Sequence, residues 1–212
     1  MLRIVLLRHG QTAWNHEGKN QGSEDIELDD IGRRQSEQTA DRLGAYDWSA
    51  VYSSPLRRAR ETAEIVLRGR SIPIQLDDRL RERSYGAWEG KTAQEIGPAY
   101  EEYRRDRVLY RPPGGETGLE VFMRATAFLH DLLKDGAGDV LVVSHGGTTA
   151  ALIAVLLHGS PATAATLRLA NCSLTEILIT EDGRRVLSAF NDVSHLNPQP
   201  IPVVSHETAP TR

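Results

Sequence analysis

With 212 residues, 40% of them apolar and 25% charged, the chain can bury one substantial core and sits in the globular range, which excludes disordered and fibrous classes. Its 25 basic residues are interspersed with 29 acidic ones for a formal charge of −4, which argues against general nucleic-acid binding and makes any anion site a local cluster. A lone cysteine, Cys172, allows neither an intrachain disulfide nor a Cys-based zinc site, and the cytoplasm is the expected compartment.

Residues 2–7 (Leu2-Arg3-Ile4-Val5-Leu6-Leu7) read as a strand, too short for a signal sequence or a membrane span, and deliver Arg8-His9-Gly10 to its end. An amphipathic helix is expected over 30–43, with Ile31, Ala40 and Leu43 on its apolar side. Residues 50–53 form a second strand. Ser54-Pro55 then supplies an N-cap and an N1 proline to a helix whose inner face is Leu56, Ala59, Ala63, Val66 and Leu67.

A third strand spans 72–76 and runs into the charged stretch 77–83. Thr117-Gly118-Leu119-Glu120 is a capping box opening a helix with the stripe Phe122, Ala125, Leu129, Leu132 and Leu133. Residues 140–144, continuously apolar, end in Ser144-His145-Gly146-Gly147. A helix over 148–157, apolar nearly all round, is buried and stops at Gly159 and Pro161.

Two last strands, 173–180 and 184–190, flank Asp182-Gly183 and form an antiparallel hairpin. The alternation of strands and helices implies a single-domain α/β fold over 1–197: a three-layer α/β/α sandwich with a mostly parallel central sheet, antiparallel near the C-terminus. The strands at 2–7 and 140–144 take central positions. Residues 198–212, with four prolines, are expected to be a mobile tail.

Parallel sheets bind ligands at the carboxyl ends of their strands. Four such ends bring Arg8 and His9, then Arg58, then Glu82, then His145 to one edge. Arg8 and Arg58 place two permanent positive charges beside the histidines, which disfavours a divalent metal and favours a phosphate dianion. His195, after the last strand, is read as local structure.

The motifs Leu7-Arg8-His9-Gly10-Gln11-Thr12, Ser53-Ser54-Pro55-Leu56-Arg57-Arg58-Ala59, Glu82 before Tyr85-Gly86 and Trp88-Glu89-Gly90, and Ser144-His145-Gly146-Gly147 occur in this order over 2–195. They resemble the histidine phosphatase superfamily, the phosphoglycerate mutase-like enzymes. The resemblance implies His9 as the nucleophile that becomes phosphohistidine, and Arg8, Arg58 and a charged His145 around the phosphate. It implies Glu82 as proton donor and then base, and Asn15, Gln21, Gly22, Tyr85 and Gly146 in phosphate or substrate binding. Residues 85–115 are expected to form a small cap that sets substrate preference.

Cofactor-dependent mutases of this superfamily carry an asparagine after the second His-Gly, a lysine after Tyr-Gly and a long insertion before the helix at 117. Here Gly147, Ala93 and the direct run Pro112-Pro113-Gly114-Gly115-Glu116 depart from all three. Arg104-Arg105 resembles the mutase segment that grips the substrate carboxylate, but a solvated charged helix over 101–107 is the preferred reading.

The expected function is a metal-independent phosphomonoesterase, without cofactor, for small phosphorylated metabolites such as sugar, glycerate or ribazole phosphates. The alternative is a cofactor-dependent phosphoglycerate mutase. A binding protein with a degenerate site is disfavoured, because every catalytic residue type is present. No nucleic-acid or membrane partner is expected, and a homodimer is left open.

Overall fold

The computed structural model describes residues 1–135 and 138–196, so the expected mobile tail at 198–212 lies outside the described residues. Strand β1 (Leu2–Arg8) is followed by the one-turn helix α1 (Ala13–His16), then α2 (Asp30–Arg42), β2 (Trp48–Ser53), α3 (Arg57–Val66) and β3 (Ile74–Leu76). Helices α4 (Ala93–Ile96) and α5 (Pro98–Arg105) precede the long α6 (Gly118–Asp135). Strand β4 (Gly138–Ser144), α7 (Gly146–Leu156), α8 (Pro161–Thr166), β5 (Leu174–Ile179) and β6 (Arg185–Asp192) complete the described chain.

The six strands form one sheet in the order β3-β2-β4-β1-β5-β6. The first four are parallel and the last two antiparallel, with β5 pairing directly against β1. Period-2 geometry splits β1 between two cores. Leu2, Ile4 and Leu6 pack with Val140, Val142, Ala125, Phe128, Leu152 and Ile153 under α6 and α7, while Val5 and Leu7 pack with Leu141, Val143, Ala59, Ala63 and Leu43 under α2 and α3. The result is the expected α/β/α sandwich. Burying Leu6 and Leu141, each 1% exposed or less, stabilises it by about 1.5–3 kcal/mol per side chain.

Three helices differ from expectation in instructive ways. The inward face of α2 is Gly32, Ser36 and Thr39, while Ile31 is exposed. The helix lies against the loop after β1 so closely that a Cβ at Gly32 would stand 2.1 Å from the Gln11 carbonyl oxygen, and one at Gly10 would stand 2.5 Å from that of Gly32. Backbone approach, not apolar periodicity, orients it.

Helix α3 starts at Arg57 with Leu56, not Ser54, at its N-cap and no side-chain cap; the Ser54 hydroxyl accepts the Leu56 N–H (3.3 Å) just before the helix and also accepts from His145. The buried stripe of α6 is Val121, Ala125, Phe128, Leu129 and Leu132, with Phe122 and Leu133 only half-buried. Its capping box forms as read, with Thr117 and Glu120 satisfying each other's backbone N–H. The short helices α1, α4 and α8 escaped the sequence reading. Each is opened by a capping box, Thr12 with Asn15, Thr92 with Glu95 and Ser160 with Thr163.

The segment between β3 and α6 has a small core of its own. Trp88, Tyr100, Tyr103 and Tyr110 pack ring against ring, and Tyr85 meets Tyr103 edge-on. Arg83, 5% exposed, lies over Tyr103 at 5.0 Å from the ring centroid. Among the described residues no helix is long and apolar enough to cross a membrane.

Candidate active site

His9 sits at the carboxyl end of β1 with its backbone fixed from both sides. Its N–H donates to Ser144 of the neighbouring β4 (2.9 Å), and its carbonyl accepts from the Asn171 amide (2.9 Å) and the Cys172 N–H (3.2 Å). The next N–H, of Gly10, donates to Thr62 Oγ1, which itself donates to the Arg58 carbonyl. Strand β1, strand β4 and helix α3 thereby fix one imidazole.

The imidazole's own bonds determine its tautomer. His9 Nδ1 lies 2.7 Å from the Gly10 carbonyl oxygen, which can only accept, so Nδ1 carries the proton and Nε2 keeps its lone pair. Burial, then the charges of Arg58 and Arg8, hold its pKa well below 6.5, overriding the upward pull of the Gly10 bond. The ring is neutral and nucleophilic.

His145, at the end of β4, lies with its ring centroid 5.1 Å from that of His9. Arg58 Nε donates to its Nδ1 (3.1 Å), so its proton is on Nε2, which donates to Ser54 Oγ (2.8 Å). Burial and the neighbouring Arg58 and His9 also hold its pKa well below 6.5. The expectation of a charged His145 is corrected on this point: without an anion beside it, the ring is neutral.

Arg58 is fully buried, and its other nitrogens donate to the Glu24 and Gly22 carbonyls at 2.6 and 2.8 Å. Burial pulls its pKa down to about 10. Arg8 donates to the Leu169 carbonyl through Nη1, while its Nε is buried without an acceptor among the described residues. An unpaired buried donor costs about 1–3 kcal/mol, which a ligand oxyanion would recover.

Glu82 reaches the same place from the loop after β3. Its carboxylate accepts the N–H groups of Gly147 (3.0 Å) and Thr148 (3.2 Å) at the N-terminus of α7, and that of Arg83 (2.9 Å). A helix N-terminus favours an anion, so α7 fixes the carboxylate where Arg8 and Gly146 line a common cavity with it. That cavity has a volume of about 280 Å³ and is also bounded by Tyr85, Tyr103, Arg107 and Arg168.

The remaining residues singled out from sequence fall around this centre in different capacities. Asn15 Oδ1 accepts from Thr12 and from Asn171 Nδ2, so its own Nδ2 is the group left for a ligand. Gly22 contributes its carbonyl to Arg58, and Gln21 beside it is buried with Oε1 unpartnered among the described residues. Tyr85 faces the cavity and contacts the Tyr103 hydroxyl at 3.3 Å. Arg104 is paired with Glu101, and both Arg104 and Arg105 are exposed and outside the cavity. His195 does not line the cavity and is bonded to Thr39 at 3.1 Å.

Sequence reasoning missed Asn171, Ser54 as a partner of His145, Arg83, Arg107 and Arg168. No motif in the sequence marks Asn171: it meets Gly10 because the folded register pairs Leu7 with Leu174 and the two strands run on toward each other's ends.

The histidine phosphatase superfamily (branch 1) model matches residues 4–208. The chain belongs to this superfamily. It is 40% identical over 167 residues to a glucosyl-3-phosphoglycerate phosphatase of Mycolicibacterium vanbaalenii, covering 73% of this chain and 74% of that protein. It is 35% identical over 201 residues to phosphoglycerate mutase-like protein 4 of Arabidopsis thaliana, covering 91% and 86%. Among solved structures, the alpha-ribazole phosphatase of Shigella flexneri superposes with a TM-score of 0.82 at 27% identity, over 90% of this chain and 96% of that one. The chain is accordingly a phosphatase of the histidine phosphatase type.

Proposed function

We propose that the chain hydrolyses small phosphomonoesters, without a metal, through a phosphohistidine on His9 Nε2. The observation that carries this reading is the pairing of a neutral His9, protonated on Nδ1, with Arg58 and Arg8 beside it. Nε2 attacks phosphorus and the bond to the leaving oxygen breaks. Glu82 delivers the proton which that oxygen needs. Water then attacks the phosphohistidine, Glu82 takes its proton, and the P–N bond breaks to release inorganic phosphate.

Arg8, Arg58 and the Asn15 amide neutralise the equatorial oxygens. A dianion beside His145 supplies the opposite charge that its ring lacks in the free protein, and favours its protonation there. Among the described residues no three His, Cys, Asp or Glu side chains converge as a metal site, and the two arginines oppose a cation.

We prefer hydrolysis to the mutase reaction because Gly147 departs from the mutase pattern. Its N–H holds Glu82, and a Cβ there would stand 2.7 Å from Glu82 Oε1, so an asparagine at 147 would require the carboxylate to shift. The substrate range we propose follows the relatives' names: esters such as glucosyl-3-phosphoglycerate and alpha-ribazole phosphate. Residues 85–115, with their aromatic core, act as the cap over the leaving group.

The test is rapid quench with a ³²P-labelled monoester in the presence of chelator. Label on the protein that is stable to base and labile to acid is expected, and His9→Ala should abolish it and lower kcat by at least about 10⁴-fold. Turnover that requires added metal, or label that persists in His9→Ala, would overturn the reading.

A further inference from the structure

The cavity beside the two histidines is lined by four arginines, Arg8, Arg83, Arg107 and Arg168, and one carboxylate, Glu82. Two of the arginines are accounted for. Arg8 belongs to the phosphate end, and Arg83 spends its guanidinium on the Glu116, Arg107 and Tyr110 carbonyls at 2.8, 2.9 and 2.6 Å. Glu82 is engaged by three backbone N–H groups and is not free to neutralise the others.

Arg107 and Arg168 remain. Arg107 lies over the Tyr103 ring at 5.3 Å, and Arg168 touches only the Ala165 and Leu167 carbonyls, through Nη1. Among the described residues neither is paired with an acidic side chain, whereas Arg104 and Arg111 of the same segment pair with Glu101 (3.2 Å) and Glu120 (2.8 Å). Burial and the like charge of Arg107 draw the Arg168 pKa below its ordinary range, as expected of two cations sharing a wall without an anion between them.

Their sources matter as well. Arg107 comes from the segment after α5, and Arg168 from the turn between α8 and β5, so the pair closes over the cavity from two sides. Arg83 fixes one of them, because its Nη1 donates to the carbonyl of Arg107 itself. Gly118 leaves room for that carbonyl: a Cβ there would stand 2.4 Å from the Arg107 oxygen.

We propose that Arg107 and Arg168 clamp a second anionic group, carboxylate or phosphate, on the leaving alcohol, so that the preferred substrates are monoesters bearing a second negative charge. The proposal rests on the phosphomonoesterase reading above. It assigns the two arginines to specificity, since the transferred phosphoryl group is held by others. The guanidinium fork suits either anion; Arg107 is half-buried over the Tyr103 ring, while Arg168 lines the cavity with part of its side chain exposed to solvent.

The experiment compares kcat/KM for 3-phosphoglycerate, glycerol 1,3-bisphosphate and glycerol 3-phosphate. These share a three-carbon skeleton and differ in whether the second anionic group is a carboxylate, a phosphate or absent. The native protein should favour at least one of the two doubly anionic esters by about 10- to 100-fold over glycerol 3-phosphate, and which one wins identifies the anion. Arg107→Gln and Arg168→Gln should each lower that ratio about tenfold, with Arg104→Gln as a control that leaves it unchanged.

Failure of turnover on all three esters and on an aryl phosphate would count against the phosphatase reading. The clamp is then decided by calorimetric binding of 3-phosphoglycerate and of glycerol 1,3-bisphosphate to the His9→Ala protein, with and without Arg168→Gln. Unchanged affinity for both esters in the binding measurement, or an unchanged ratio in the kinetic one, would overturn the clamp whichever way the chemistry falls.

Discussion

At the strand ends, Arg58 holds His145 through a side-chain bond, the His9 ring lies against that of His145, and the backbones of His9 and Arg58 are pinned by Ser144, Cys172 and Thr62. At the outer wall, Arg83 holds the segment after β3 through main-chain carbonyls of three residues, 24 to 33 positions away in sequence. The first arrangement fixes reacting atoms, since each bond sets a proton or a ring orientation. The second fixes only the path of the backbone, leaving Arg107 and Arg168 to meet the leaving group. Under the reading proposed above, the floor sets the phosphoryl-transfer chemistry and the wall selects the alcohol.

Glu82 is the place to break this division, because it touches both regions. Glu82→Gln keeps one oxygen, so it can accept from Gly147 or from Thr148 and Arg83 but not from all three, and it cannot deliver a proton to the leaving group. It should slow phosphorylation of His9 by an alkyl phosphate about 10²–10⁴-fold, and by an aryl phosphate, whose leaving group needs no proton, much less; rapid quench separates this step from hydrolysis of the phosphohistidine, which slows equally for both. If the variant instead unfolds at much lower denaturant with equal losses on both esters, Glu82 is a cap for α7 and belongs to the wall.

Arg83→Met sharpens the comparison from the other side. The methionine stem keeps some packing on Tyr103 but leaves three carbonyls without their charged donor. A stability loss of about 3 kcal/mol is expected in urea titrations, at the cautious end for three such bonds. The kinetic loss should fall on KM more than on kcat. A selective fall in kcat would place Arg83 on the floor.

The two regions were also unequally legible in the sequence. Arg8, His9 and His145 could be placed because apolar runs mark the strands, and the ends of parallel strands share an edge, whereas Arg58 stood out only through the motif around it and Glu82 also needed the Tyr85-Gly86 that follows. Ser54 misled because its hydroxyl accepts the Leu56 N–H before the helix rather than one within its first turn, and it also accepts from an imidazole that only folding brings close. Ile31 misled because Gly32 must approach Gln11, a contact between segments that periodicity cannot register. Arg83, Arg107 and Arg168 gave no signal at all: their roles depend on partners brought close by folding, and as residue types they look like solvated charge. Arg104 and Arg105, equally basic, are solvated in fact.

The smallest expected effect concerns the floor in the absence of ligand. His9 and His145 stay neutral below pH 6.5, whereas in the unfolded chain both bind protons there. The unfolded state thus holds more protons in the window from 6.5 down to the folded pKa values, and stability must fall as pH falls through it. Above 6.5 the two histidines contribute no slope. Linkage sets the slope at about 1.4 kcal/mol per pH unit for each histidine. His145→Gln keeps groups able to bond Ser54 and Arg58 but cannot take a proton, so its stability should decline less steeply than that of the native protein by about that amount per unit. Denaturant titrations at pH 7.5, 6.5 and 5.5 measure the difference. Parallel profiles would mean that folding leaves the His145 pKa at its ordinary value, so that the ring takes up its proton below pH 6.5 in the free protein without a phosphate beside it.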